Sequence, residues 1–134
     1  MEELVRFSIT VSRDILAAFD QKLIQAGKHN RSDALRQMMR AHIASECWRK
    51  GKGQLYGTIT LMYNHHVPSV LKELTSLQHD HETVIVCTTH VHVTHDTCLE
   101  CLILSGDASE IRGLVDAMGQ LKGIHSLDTV ITSR

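Results

Sequence analysis

A chain of 134 residues with 43% hydrophobic but only 4% aromatic content makes one ordinary domain, or two very small ones with aliphatic cores; a unit of ~50 residues buries too little surface to be comfortable alone and leans on oligomerisation. The net charge of −1 hides an asymmetry: residues 1–52 carry ten Lys/Arg against six Asp/Glu, a net of +4, whereas residues 53–134 carry four against nine, a net of −5, and eight of the ten histidines. No apolar run approaches ~18 residues, which excludes a transmembrane helix, and Glu2 and Glu3 before a short alternating segment do not make a signal peptide, so a cytoplasmic location is expected.

Leu4 to Val11 alternates Val5, Phe7, Ile9 and Val11 with Arg6, Ser8 and Thr10, the pattern of a strand with one apolar face. Ser12 is placed to cap a helix over 13–26, with Ile15, Leu16, Phe19, Leu23 and Ile24 on one face, and Gly27 to end it. Ser32 is expected to cap a second helix over 33–48. The polar stretch Arg49–Gly53 reads as a linker between domains at 1–50 and 54–134. Beyond it the spacing predicts a strand (55–63), a helix opening at Pro68 (68–78), a strand (83–94), a hairpin partner (98–105), a helix (108–121) and a last strand (124–132). The fold class is therefore α+β: a β-α-α segment followed by a βαββαβ unit of ferredoxin-like order. A lone strand in the first segment has nothing to pair with, and two chains joining their strands antiparallel would supply it.

That paired ribbon would present two copies of Arg6, Ser8 and Thr10, and a two-stranded ribbon fits the major groove of DNA, where Arg can bond guanine O6 and N7. An edge strand with a solvated polar face is the duller reading. The turn Asn30-Arg31-Ser32 favours DNA, because it offers backbone N–H groups and a positive helix end to a phosphate.

The run Thr89–Glu100, THVHVTHDTCLE, carries the metal chemistry. His90 and His92 leave the same face of a strand, and Cys98 follows beyond a turn that can fold the next strand back beside them. Imidazole suits zinc, copper, iron and nickel, and thiolate disfavours magnesium and calcium. A planar arrangement would suit Ni(II) or Cu(II), a tetrahedral one zinc. The fourth ligand must come from elsewhere, and His79 of a neighbouring subunit is the candidate. Glu100, two residues after Cys98 on the same face, is placed to accept from a ligand imidazole N–H. His65, His66, His81 and His95 are less specific and suit weaker secondary sites. Surface histidines on a polar sheet face are the bland alternative, and the HxH-plus-Cys pattern argues against it.

The cysteines Cys47, Cys87, Cys98 and Cys101 form no spaced disulfide framework. Cys98 and Cys101 are formally CxxC, but on a strand they point to opposite faces. Cys87, in the apolar run from Val84, reads as core, and Cys47 as a small packed residue. No catalytic signature is present, neither G-x-S-x-G, P-loop nor HExxH, so an enzyme is not expected.

Taken together these residues resemble the nickel-responsive regulator family (NikR) over essentially the whole chain. The N-terminal part resembles a ribbon-helix-helix DNA-binding module. The C-terminal part resembles that family's ACT-like metal-binding and tetramerisation domain, with Gln78-His79, His90-Val-His92 and His95-Asp-Thr-Cys98-Leu-Glu100 following its metal motif. The resemblance implies one square-planar Ni(II) per chain, held by His90, His92, Cys98 and a partner's His79. It also implies operator bases read by Arg6, Ser8 and Thr10, a homotetramer built as a dimer of dimers, and repression of nickel-uptake genes from a palindrome of two half-sites. Two positions depart from the family. Ser8 stands where Thr is expected, and Gln37 stands where some members carry the second of two acidic residues (Asp33 matching the first) that hold another cation. The alternatives are the same architecture sensing copper or cobalt, and a metal-binding protein without an operator; a ribbon-helix-helix antitoxin is disfavoured by the His-rich second half.

Overall fold

A computed structural model describes residues 3–134; Met1 and Glu2, and with them the Glu2 charge weighed against a signal peptide, lie outside the described residues. The chain separates into two compact units that divide between Met38 and Met39.

The first unit contains α1 (Arg13–Gln25) and the start of α2 (Arg31–Lys50). Ser12 Oγ accepts from the Ile15 N–H at 3.4 Å, capping α1 as its sequence dictates. Gly27, at φ 66°, stops the helix, and the backbone N–H groups of Gly27 and Lys28 bond back to Ile24 and Leu23. The cap of α2 differs from expectation. Asn30, not Ser32, does the work: its side-chain oxygen accepts from Asp33 N–H at 3.2 Å and its carbonyl from Ala34 N–H. Ser32 falls inside the first turn. Both residue types cap well, and the helix starts where the earlier one can close the first turn.

The segment before α1 also differs. It forms no strand ladder, because a strand needs a partner to bond. Phe7, Ile9 and Val11 stay exposed, and Leu23 and Ala34 are the buried hydrophobics of this unit among the described residues. A groove of about 390 Å³ runs between Ile9, Val11, Ile15, Phe19, Leu35 and Met38.

The second unit holds a four-stranded antiparallel sheet of β1 (Gln54–Asn64), β2 (Ile85–His92), β3 (Thr97–Asp107) and β4 (Ile124–Thr132), in the order β2-β3-β1-β4. With α3 (Pro68–Asp80) and α4 (Ala108–Gly119) this is the expected βαββαβ unit. Alternation decides which face is covered. Leu55, Ile59, Leu61 and Tyr63 of β1 pair with Gly106, Leu102, Glu100 and Cys98 of β3, and the buried members of both rows meet Val70 and Leu74 of α3 and Ile111, Leu114 and Met118 of α4. The opposite face leaves Val91, Ile103 and Val130 exposed.

Several boundaries moved, and those of β2 and α3 bear on the site. β2 begins at Ile85 because Val84 N–H closes a turn onto His81, and it ends at His92 because Val93 and Thr94 both bond to Thr97 in the hairpin. α3 runs on to Asp80, so His79 lies in its last turn rather than past it. Cys87, expected in the core, is exposed: it sits opposite Ile103 on the uncovered face of an edge strand.

Gly57 leaves no room for a side chain between β1 and β4. A Cβ there would lie 2.3 Å from the Val130 carbonyl oxygen and 2.8 Å from Ile131 Cδ1. Gly57→Ala should therefore push β1 from β4 and cost about 1–3 kcal/mol, the usual range for overpacking. Thermal unfolding by circular dichroism checks it; an unchanged midpoint would show that the strands part freely.

Candidate metal centre

The register of the hairpin brings the candidate ligands together. His92 pairs with Cys98, and His90 with Glu100, across β2 and β3, and directly paired residues share a face. Tyr63 of β1 pairs with Cys98 from the other side. Cys98 is fully buried, and its Sγ lies 3.4 Å from His92 Nδ1.

The third ligand atom gathered at Cys98 in the single chain is not His90. It is His65 Nδ1, 3.2 Å from Sγ. His65 leaves the end of β1 with its N–H on the Asp96 carbonyl. His90 lies one pair further along, its Nδ1 3.3 Å from the Tyr63 hydroxyl and 3.7 Å from Glu100 Oε2. His79 is exposed on α3, 3.9 Å from Glu82, outside the cluster. From the sequence His65 was expected at most in a weaker secondary site. The signal was there: Leu61, Tyr63 and His65 continue one alternation, and Tyr63 faces Cys98.

The Glu100 carboxylate is 5% exposed and held at both oxygens. Tyr63 OH donates to Oε2 at 2.8 Å and Gln78 Nε2 donates to Oε1 at 2.5 Å. Glu100 thus reaches the candidate ligand His90 through Tyr63 as well, a residue the sequence pattern did not single out. Gln78, next to His79, ties the end of α3 to the same carboxylate.

The electrostatics favour neutral groups. Burial, and then the Glu100 charge, raise the Cys98 thiol. Burial raises Tyr63 as well, reinforced by its hydrogen bond to Glu100. Desolvation, and then His66 and His92, lower His65 and keep it in its metal-ligating form. The donors fit one transition ion. With bonds of about 2.3 Å to sulfur and 2.0 Å to nitrogen, adjacent S and N ligands stand roughly 3.1–3.5 Å apart. The 3.2 and 3.4 Å separations at Cys98 fall in that span.

A raised thiol carries its proton at neutral pH, so an ion that takes the thiolate must displace it. Apparent affinity for such an ion should then fall about tenfold for each unit that pH drops below the thiol's own value. Titrations at two pH values measure this; a flat profile would remove Cys98 from the ligand set.

The DNA-side candidates lie in the first unit. Arg6, Ser8 and Thr10 are exposed. Asn30 spends its side-chain oxygen on the cap of α2. Arg31 is clamped to Asp20 by two hydrogen bonds of 2.7 and 2.5 Å, which lower the Asp20 carboxyl below its usual range. Ser32 is exposed beside them, on the rim of a cavity of about 640 Å³ with Lys28 and His29. Gln37 accepts from the Lys28 ammonium at 2.7 Å, and Asp33 pairs with Arg36. No helix among the described residues is long and apolar enough to cross a membrane.

Comparison with known proteins matches both parts of the chain. Residues 5–46 match the model of ribbon-helix-helix proteins of the copG family. Residues 56–132 match the NikR C terminal nickel binding domain. A relative from Thermococcus kodakarensis is 38% identical over 97% of this chain and 94% of its own length. One from Solibacter usitatus is 37% identical over 99% and 96%. Both carry the name "Putative nickel-responsive regulator". Among solved structures, uncharacterized protein TM1266 from Thermotoga maritima shares the fold at a TM-score of 0.55, 18% identity, covering 61% of this chain and all of that one. With the ribbon-helix-helix and nickel-binding models together spanning most of its length, the chain belongs to the NikR family of ribbon-helix-helix regulators.

Proposed function

We propose that this chain is a nickel-responsive transcription regulator, not an enzyme, in which Ni(II) favours operator binding and repression of nickel-uptake genes. Residues 1–50 form the DNA-binding domain and residues 54–134 the metal-binding and tetramerisation domain. The observation that carries the reading is the convergence of the Cys98 thiol with imidazole nitrogens in a chain whose other part is a ribbon-helix-helix.

His90, His92 and Cys98 hold one Ni(II) per chain, with His79 of the partner subunit as the fourth ligand. A bound divalent ion supplies a cross-link between subunits. His90 turns from Tyr63 to take its place, and Glu100 remains bonded to Tyr63 and Gln78. Because Gln78 precedes His79, Glu100 also steadies the helix end offered to the neighbour. Arg6, Ser8 and Thr10 of paired ribbons read the half-sites of a palindrome, and Asn30, Arg31 and Ser32 face phosphates. The metal selects among arrangements of the two DNA-binding dimers, and shifts them only as far as it binds one arrangement better. The tetramer acts in the cytoplasm.

The test is an anaerobic Ni(II) titration by optical absorption on wild type, His79→Ala, His90→Ala and His65→Ala. A sulfur-to-nickel charge-transfer band, altered by the first two substitutions and kept by the third, is expected. Operator binding at fixed salt should follow the band. Nickel bound without such a band, or operator affinity indifferent to nickel, would sink the reading. Copper or cobalt sensing is the second reading, because the same N and S donors suit those ions; it wins if one of them, and not nickel, confers operator binding.

A further inference from the structure

The end of α2 is anchored within the second unit. Gly51, at φ 63°, closes the helix: its N–H bonds to the Trp48 carbonyl, and the Lys52 N–H to that of Cys47. The Gly53 carbonyl then accepts from the Ala108 N–H at 2.8 Å, where α4 begins. Residues 49–53, expected to be a linker, are therefore tied down by their own backbone. Arg112 of α4 adds the side-chain part. Its Nη1 donates to the Trp48 carbonyl at 3.1 Å and to that of Arg49 at 3.4 Å, and its guanidinium carbon lies 5.9 Å from the centre of the Trp48 ring. The last carbonyls of a helix lack partners and carry its negative end, so a cation there satisfies both needs. The same cation is drawn to the ring face. Further up the helix Ala44 is buried, and Ser133 Oγ donates to the Arg40 carbonyl at 2.9 Å.

α2 is one continuous helix that begins in the first unit and ends in the second. The element that holds its end is tied in turn to the segment after α3: Thr83 Oγ1 donates to Glu110 Oε2 of α4 at 3.1 Å. α3 carries His79 in its last turn.

We infer that Arg112 is a positioning residue for the nickel response: it fixes the end of α2 to α4, so that a metal bound through His79 is felt by the helix shared with the DNA-binding unit. The coupling rests on the proposed function; the anchor does not.

Trp48 is the single tryptophan of the chain, so its fluorescence reports the anchor. In the full chain Arg112→Ala should shift that emission to the red and steepen its quenching by acrylamide. Nickel affinity and the charge-transfer band should stay as in wild type, while the ratio of operator affinities with and without Ni(II) falls about tenfold. Arg112→Lys keeps the charge and the stem but lacks the planar fork, so it should move both readouts the same way even if the alanine chain fails to fold. Unchanged Trp48 emission and quenching in both variants would overturn the anchor. A changed Trp48 with an unchanged operator ratio would overturn the coupling, as would a band and a metal-free operator affinity that fall together, the mark of a merely structural role. A wild type whose operator affinity ignores nickel would overturn the proposed function and the coupling with it, while the Trp48 signal would still decide the anchor.

Discussion

Cys98→Ser should abolish the sulfur-to-nickel charge-transfer band and weaken nickel binding by more than about 100-fold, beyond the 10–100-fold typical of changes in groups that only orient ligands. The reason lies in the donor set. The thiolate is the anionic, polarisable member among imidazoles, and a serine hydroxyl does not ionise at neutral pH. The exchange changes little else. Cys98 is buried between Tyr63 and His92, and serine keeps nearly its shape. Far-UV circular dichroism should therefore be unchanged, so that lost affinity reports the ligand and not the fold. Retained affinity at the site that gives the band would move that site away from Cys98.

Arg6→Ala should weaken operator binding by about 1–3 kcal/mol for each copy that contacts a base. Paired ribbons carry two copies, so one dimer on one half-site loses roughly 30-fold or more. Arg6 is exposed, so the change should leave nickel binding intact. Arg31 makes a poorer probe, because removing it also frees Asp20 from its clamp. Binding to operator and to unrelated DNA, each across a salt series, is the measurement. Loss on the operator alone means base reading. An equal loss on both, with the salt slope reduced by about 1, would mean that Arg6 touches phosphate only.

Most of the fold was legible because its signals are local. Ser12 and Gly27 bracket α1, and the β1 alternation from Leu55 to Tyr63 fixes which face is covered. The spacing of His92 and Cys98 around a turn was enough to foresee their pairing. What was not legible depends on partners distant in sequence. Cys87 belongs to an apolar run, yet it lies on an edge strand whose outer face is uncovered, and only the sheet order shows that. Tyr63 and Gln78 meet at Glu100 from separate elements, so no spacing rule finds them. His65 was within reach of the alternation but lay one residue past the strand's expected end at 63 and was given only a secondary role. The ladder of residues 4–11 is missing for a different reason: the described residues offer it no partner strand.

That missing ladder has a consequence for dosage. A segment that buries Leu23 and Ala34 and leaves Val5, Phe7 and Ile9 in water owes its fold to whatever covers them. If a second chain does so, stability obeys mass action, and the unfolding midpoint of this segment climbs with total protein concentration. Scarcity would then silence the molecule before any shortage of metal does, because a paired DNA-reading surface would exist only in chains that had already found each other.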